Sequence, residues 1–196
     1  IASSIRFDAS SRFTKKYRWG TFPSISFAWN MHNEPFMKNI RWITNARLRG
    51  SWGQLGRDKL SPYQAFSGVN LGTGYVFNNT LVSGAAITRL GYEGTGWESN
   101  TTIDLGAEAS FFNNRLKATY NYWRKTTSDM IFNENLPYIA GLRNLSIAIN
   151  AGELLNKGHE VDLEWRDSWG KFAYRLGMNV STYFSEVVSW PFPEGI

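Results

Sequence analysis

Residues 103–122 alternate so strictly that they leave little choice of fold. Ile103, Leu105, Ala107, Ala109 and Phe111 fall on one face, with Asp104, Gly106, Glu108 and Ser110 on the other. After Asn113-Asn114 the alternation resumes, setting Leu116, Ala118, Tyr120 and Tyr122 against Lys117, Thr119, Asn121 and Trp123. A period of two marks a strand, and asparagine tolerates the positive φ of a tight type I′ turn, so the segment predicts a β-hairpin. Each arm holds about 9–11 residues, the length of a tilted strand that crosses a bilayer. The apolar face looks either into a protein core or out into lipid, and the function turns on which.

Composition bounds the choice. A chain of 196 residues with 42% hydrophobic content can build one domain with a sizeable core. Aromatics make up 16%, including 9 Trp, which suits an interfacial belt at strand ends and equally a carbohydrate-binding β-sandwich. Without cysteine there is no disulfide framework and no thiolate metal site. The net charge of +5 comes from dispersed basic residues, which argues against a nucleic-acid partner. No run of about 18 apolar residues occurs, so a transmembrane helix is excluded, whereas a transmembrane barrel betrays itself only by alternation. Ile1 to Asp8 reads as half a strand rather than a signal peptide, so the start is expected to be a cut through a larger protein.

Seven strands are predicted, near residues 1–8, 21–31, 44–54, 97–112, 115–127, 157–166 and 171–187. The connections between them run long, medium, very long (about Gly56 to Gly96), two residues, long and four residues. Antiparallel neighbours place successive connections at opposite ends, so the long ones gather at one end. Outer-membrane barrels have that asymmetry, although a sandwich can also cluster its loops. In the last hairpin, a turn over Asp167 to Gly170 would set Trp165 opposite Phe172, Leu163 opposite Tyr174, Val161 opposite Leu176 and Asp162 opposite Arg175. In the central hairpin Glu108 falls diagonal to Lys117, as a solvated ion pair.

The candidate chemistry is weak throughout. Asp104 and Glu108 share a face about 13 Å apart, too far for one reaction. Glu160, Asp162 and Glu164 stand about 7 Å apart as neighbours, within the range of inverting glycosidases, but nothing around them supplies a desolvated acid. They read as a hydrated acidic stripe. His32 and His159 each lack a second histidine at metal-ligand spacing, and no GxxxxGK[ST] loop occurs. Asn78-Asn79-Thr80 and Asn144-Leu145-Ser146 have the form of glycosylation sequons and read as plain loop residues. Trp19, Trp29, Trp52, Trp165 and Trp169 lie at or near predicted strand ends, as an interfacial belt or as core. No catalytic residue, metal site or cofactor site is expected.

An ordered series of short motifs carries a resemblance. It begins with Asp8-Ala9-Ser10-Ser11-Arg12-Phe13, Arg18-Trp19-Gly20-Thr21-Phe22-Pro23-Ser24 and Trp29. Glu34-Pro35-Phe36-Met37, Leu48-Arg49-Gly50-Ser51-Trp52-Gly53-Gln54 and Trp97-Glu98 follow. The series closes with Phe111-Phe112-Asn113-Asn114-Arg115-Leu116, Tyr120, Tyr122, Lys125-Thr126-Thr127 and Asn156-Lys157-Gly158-His159-Glu160. In this order and spacing the chain resembles the barrel of SusC/RagA-type TonB-linked outer-membrane transporters. It departs from that family at Leu90 to Gly96, where an Asn-Pro turn is usual.

The resemblance implies an all-β fold: about seven antiparallel meander strands of a transmembrane barrel of about 22 strands, open-edged when taken alone. Residues 1–196 would form part of one barrel domain, with the plug, the TonB box and other strands outside it. Trp190-Pro191-Phe192-Pro193 would start another outer loop. The implied setting is the outer membrane. The implied function is import of oligosaccharide or peptide with a SusD-like surface lipoprotein, driven by the TonB complex through the plug. Lumen-lining residues would be Arg47, Arg49, Asp104, Glu108, Lys117, Asn121, Glu160, Asp162, Glu164 and Arg175. Ile103, Leu105, Phe111, Leu116, Tyr120, Val161, Leu163, Trp165, Phe172, Tyr174 and Leu176 would face membrane lipid. The alternatives are another TonB-linked receptor, such as a siderophore receptor, and a soluble aromatic-rich carbohydrate-binding β-sandwich.

Overall fold

The computed structural model describes residues 1–136 and 146–190. Its backbone is a single antiparallel meander carrying two side arms. The 7-stranded sheet takes its strands in chain order: β1 (Ala2–Ala9), β2 (Trp19–Asn30), β3 (Ile43–Arg57), β6 (Glu98–Phe111), β7 (Leu116–Ser128), β10 (Glu153–Trp169) and β11 (Phe172–Ser189). All seven correspond to strands expected from alternation, several running further than the alternation indicated. The sheet does not close, because β1 and β11 each pair on one side only. Asn144, part of the second sequon, and the 191–193 stretch of the tail fall outside the described residues.

The connections divide as the alternation predicts. Residues 10–18, 58–97, 129–136 and 146–152 lie at one end of the sheet, and 31–42, 112–115 and 170–171 at the other. The first set is not plain loop. Residues 58–97 contain an arm of β4 (Gly68–Phe77) and β5 (Thr80–Arg89), and residues 129–152 contain β8 (Ile131–Asn135) paired with β9 (Ser146–Asn150). Asn78 and Asn79, with φ of 45° and 58°, turn the first arm where Phe77 pairs with Thr80. The sequon there is a hairpin turn rather than plain loop residues.

Two turns at the short-connection end show how sequence sets register. Asn113 and Asn114 have φ of 54° and 65°, and Arg115 N donates to the Phe112 carbonyl at 3.2 Å, the arrangement of a type I′ turn. In the last hairpin the turn is Gly170-Lys171 rather than Asp167 to Gly170, since Trp169 pairs with Phe172. Gly170 takes φ of 64°, a left-handed conformation open to glycine without penalty. The register therefore moves by four residues: Trp165 faces Leu176, Leu163 faces Met178, Val161 faces Val180 and Asp162 faces Asn179. Arg175 faces Arg166 instead of Asp162. An even shift preserves the face of every side chain, so the two-sided pattern survives the correction.

The buried core lies at the long-connection end and not beneath the sheet. Phe13, Leu60, Ala65, Ile131 and Ala148 form it, with Tyr17 and Trp97 packed against it. Trp97 meets Phe13 at 5.3 Å and the edge of Phe22 at 5.5 Å, and its Nε1 donates to the Arg18 carbonyl at 3.2 Å. Gly20 and Gly56 flank the Phe22 ring, which fills the space that a Cβ at either position would need. Asn150 exchanges two hydrogen bonds with the Gly96 backbone, at 2.6 and 3.1 Å. The Glu98 carboxylate, 5% exposed, accepts from Ile131 N at 3.4 Å and stands 3.7 Å from Arg57. Asp58 accepts from Ser10 Oγ at 2.8 Å and its carbonyl from Arg12 at 3.0 Å. Three connections distant in sequence are thereby fastened into one block.

Candidate functional site: a two-faced wall

Residues paired across an antiparallel ladder share a face, so the registers assign every side chain of the sheet to one of two sides. On the first side, Leu48, Ala107, Tyr120, Val161 and Val180 stand in one cross-strand row, and Phe111, Leu116, Trp165 and Leu176 in another. Ile103, Leu105, Leu163, Phe172 and Tyr174 belong to the same side. On the opposite side, Arg47 pairs with Glu108, Ser51 with Asp104, Asn121 with Glu160 and Lys117 with Glu164. Arg49, Asp162 and Arg175 lie there too. The two sets of residues singled out in the sequence thus occupy opposite faces.

The apolar face is uncovered. Phe27, Leu48, Leu105, Tyr120, Leu176, Met178 and Val180 are exposed. The packed pairs of elements are the ladder neighbours, together with β3 and the short 3₁₀ turn Met31–Asn33. No second sheet lies on this face among the described residues, which rules against the β-sandwich reading. A soluble monomer rarely shows a contiguous apolar surface of this extent, whereas lipid requires one.

Aromatic side chains border the face. At the short-connection end Trp42 stacks on Phe111 with centroids 5.6 Å apart, Phe112 meets Trp165 at 6.5 Å, and Trp29 meets Phe36 at 6.2 Å while donating to Glu34 Oε1 at 3.0 Å. Trp169, 86% exposed, stands beside its partner Phe172 at the lip. Trp19 marks the start of β2 at the other end, but Trp52 lies inside β3, opposite Ile103, and is not a strand-end residue. Trp42 escaped the sequence reading because it precedes a strand, where alternation gives no signal.

The polar face is a mixed-charge surface. Arg49 reaches Glu108 Oε1 at 3.2 Å and donates to Asn121 Oδ1 at 2.7 Å across Gly106, where a Cβ would collide with both partners. Glu108 is therefore held by Arg49 of the neighbouring strand, not by Lys117 along the hairpin diagonal. Glu164 gathers Arg166 and, at 3.8 Å, Arg175, with Lys117 opposite. A shallow basin bordered by Ser26, Arg47, Arg49, Asp104, Asn121 and Glu160 occupies the middle of this face. Open, multidentate polar surfaces of this kind offer hydrogen bonds and charge to a passing solute. The exposed ion pairs contribute little to stability, because solvent screens them.

An open meander with one apolar aromatic-bordered face, one charged face and long connections at one end is the wall of a transmembrane β-barrel. Comparison with known proteins agrees. Residues 3–194 match the family described as TonB dependent receptor-like, beta-barrel. The chain is 33% identical over 190 residues to TonB-dependent receptor P3 of Formosa agariphila, covering 95% of this chain and 18% of that protein. It is 28% identical over 189 residues to TonB-dependent receptor SusC of Bacteroides thetaiotaomicron, covering 94% and 19% respectively. Among solved structures, it overlays the RagAB peptide importer in its open-open state with a TM-score of 0.81 at 27% identity, over 97% of this chain and 20% of that one. The chain belongs to the TonB-dependent receptor β-barrel family and corresponds to a barrel portion of a SusC-like member, a class of outer-membrane proteins. It spans about a fifth of the length of the relatives it matches.

Proposed function

We propose that this chain is a panel of the barrel wall of a nutrient importer. Its apolar face meets outer-membrane lipid and its charged face lines the path of an oligosaccharide or peptide. The observation carrying this reading is the division of the sheet: the apolar rows lie on one side and the Arg49–Glu108–Asn121 group on the other. The open edges of β1 and β11 support it as well, since unpaired strand edges cannot persist in lipid and call for further strands on both sides. In this scheme the panel performs no chemistry. A plug outside the chain couples transport to the TonB complex, and a SusD-like lipoprotein covers the long-connection end.

The test is genetic and biochemical. A strain lacking the complete receptor is grown on peptides, on polysaccharides or under iron limitation, and the receptor is purified from its host in mild detergent. Loss of growth on one polymeric nutrient, with a surface lipoprotein co-purifying, supports the reading. A defect confined to iron limitation would assign the receptor to siderophores instead.

A further inference from the structure

One row of the apolar face breaks its pattern. Ile103 pairs with Arg124, Arg124 with Lys157 and Lys157 with Phe184, so two cations stand directly opposite each other on the side that otherwise carries the apolar band. Like charges in that position destabilise a sheet. Neither side chain forms an ion pair or hydrogen bond among the described residues; Lys157 Nζ rests 4.9 Å from the centre of the Phe184 ring. The next row toward the short-connection end holds Tyr122 and His159. Tyr120 Oη lies 2.8 Å from His159 Nδ1, which fixes the imidazole on this face and leaves Nε2 open. Beyond that come Val161, Leu163 and Trp165, the apolar band itself. On the loop side of the pair the acidic groups of this face are Glu186, which pairs with Leu155, and Glu153, which pairs with Ser128; neither reaches Arg124 or Lys157.

We infer that Arg124, Lys157 and His159 form a binding site for the phosphate of a membrane lipid headgroup at the long-connection rim of the wall. The inference rests on the barrel-wall reading above. A phosphate between Arg124 and Lys157 turns their mutual repulsion into two charge-assisted contacts, and an imidazole N–H adds a third donor. The acyl chains of the same lipid then lie along the apolar rows that begin immediately below. A free anion gains only the charges, whereas a lipid gains both.

The complete receptor in neutral detergent is titrated with diphosphorylated lipid A, with the same lipid after phosphatase treatment, and with inorganic phosphate, bound lipid being counted by native mass spectrometry. Arg124→Gln and Lys157→Gln, each confirmed as folded by heat-modifiable gel mobility, are expected to bind the phosphorylated lipid about tenfold more weakly. Arg124→Lys should retain most of the binding, and the dephosphorylated lipid should bind wild type no better than the Gln variants bind the intact lipid. Unchanged binding by either folded Gln variant, or inorganic phosphate competing on equal molar terms, would overturn the site. A bimane label at Leu176→Cys separates this failure from failure of the wall reading. Quenching of the label by a lipid-phase quencher alongside unchanged lipid A binding rejects the headgroup site alone, whereas no quenching rejects the wall.

Discussion

Leu163→Arg should be among the most damaging single substitutions in the sheet. Leu163 stands between Ala118 and Met178 on the apolar face, six residues from Trp169 and four from His159 along β10. At about 3.3 Å per residue and a tilt near 40°, the span from Trp169 to His159 covers about 25 Å of height, the thickness of a barrel's apolar band. Leu163 therefore sits near the bilayer midplane, where an arginine on the lipid face costs about 2–4 kcal/mol. The folded-to-unfolded ratio should drop about 30- to 1,000-fold. Thr119→Arg is the matched control: it adds the same side chain at similar height on the other face, where Thr119 pairs with both Glu108 and Asp162. It should change stability by no more than about 0.5 kcal/mol. Denaturant titration of the complete receptor in lipid vesicles measures both. Comparable destabilisation by the two variants, or a larger loss with Thr119→Arg, would refute the assignment of faces.

Three other outcomes are expected. Trp165→Arg should lower the yield of folded receptor more than Glu164→Arg, as read by heat-modifiable mobility of outer-membrane fractions, because only Trp165 lies on the apolar face. Gly170→Val should cost about 1–2 kcal/mol at φ of 64°, whereas Gly170→Asn should be tolerated, both seen as shifts in the unfolding midpoint. Thr95→Val removes the hydroxyl bond to the Ala148 carbonyl, leaving a buried acceptor unpaired. Hydrogen exchange should quicken in β8 and β9 while β6 and β7 stay protected; uniform protection would show that the fastening does not depend on this bond.

The sequence exposed the sheet because a strand's period needs no knowledge of partners. Leu105 and Asp104 declare opposite faces from spacing alone, and the even register shift in the last hairpin left those faces intact. What stayed hidden depends on contacts across the chain. The Arg49–Glu108–Asn121 group joins three strands, so the hairpin diagonal from Glu108 to Lys117 pointed to the wrong partner. Trp97 reaches Arg18 over a separation of 79 residues, and no local pattern announces that. The β4–β5 arm was legible in part, since Asn78-Asn79 repeats the turn signal of Asn113-Asn114. Gly72, Gly74 and Gly84 thin the alternation around it. At the last turn, Asp167-Ser168 reads as turn-forming residues, yet Trp169 and Phe172 continue the ladder to the two-residue limit.

Cysteine scanning across residues 159–166 in the complete receptor tests the central claim most directly. Each single cysteine is labelled with an environment-sensitive fluorophore and challenged with a lipid-phase quencher and with a water-soluble one. The two-faced wall predicts a period of two: lipid-phase quenching at residues 161, 163 and 165, and aqueous quenching at 160, 162 and 164. A uniform response along the strand, or the opposite alternation, would contradict it.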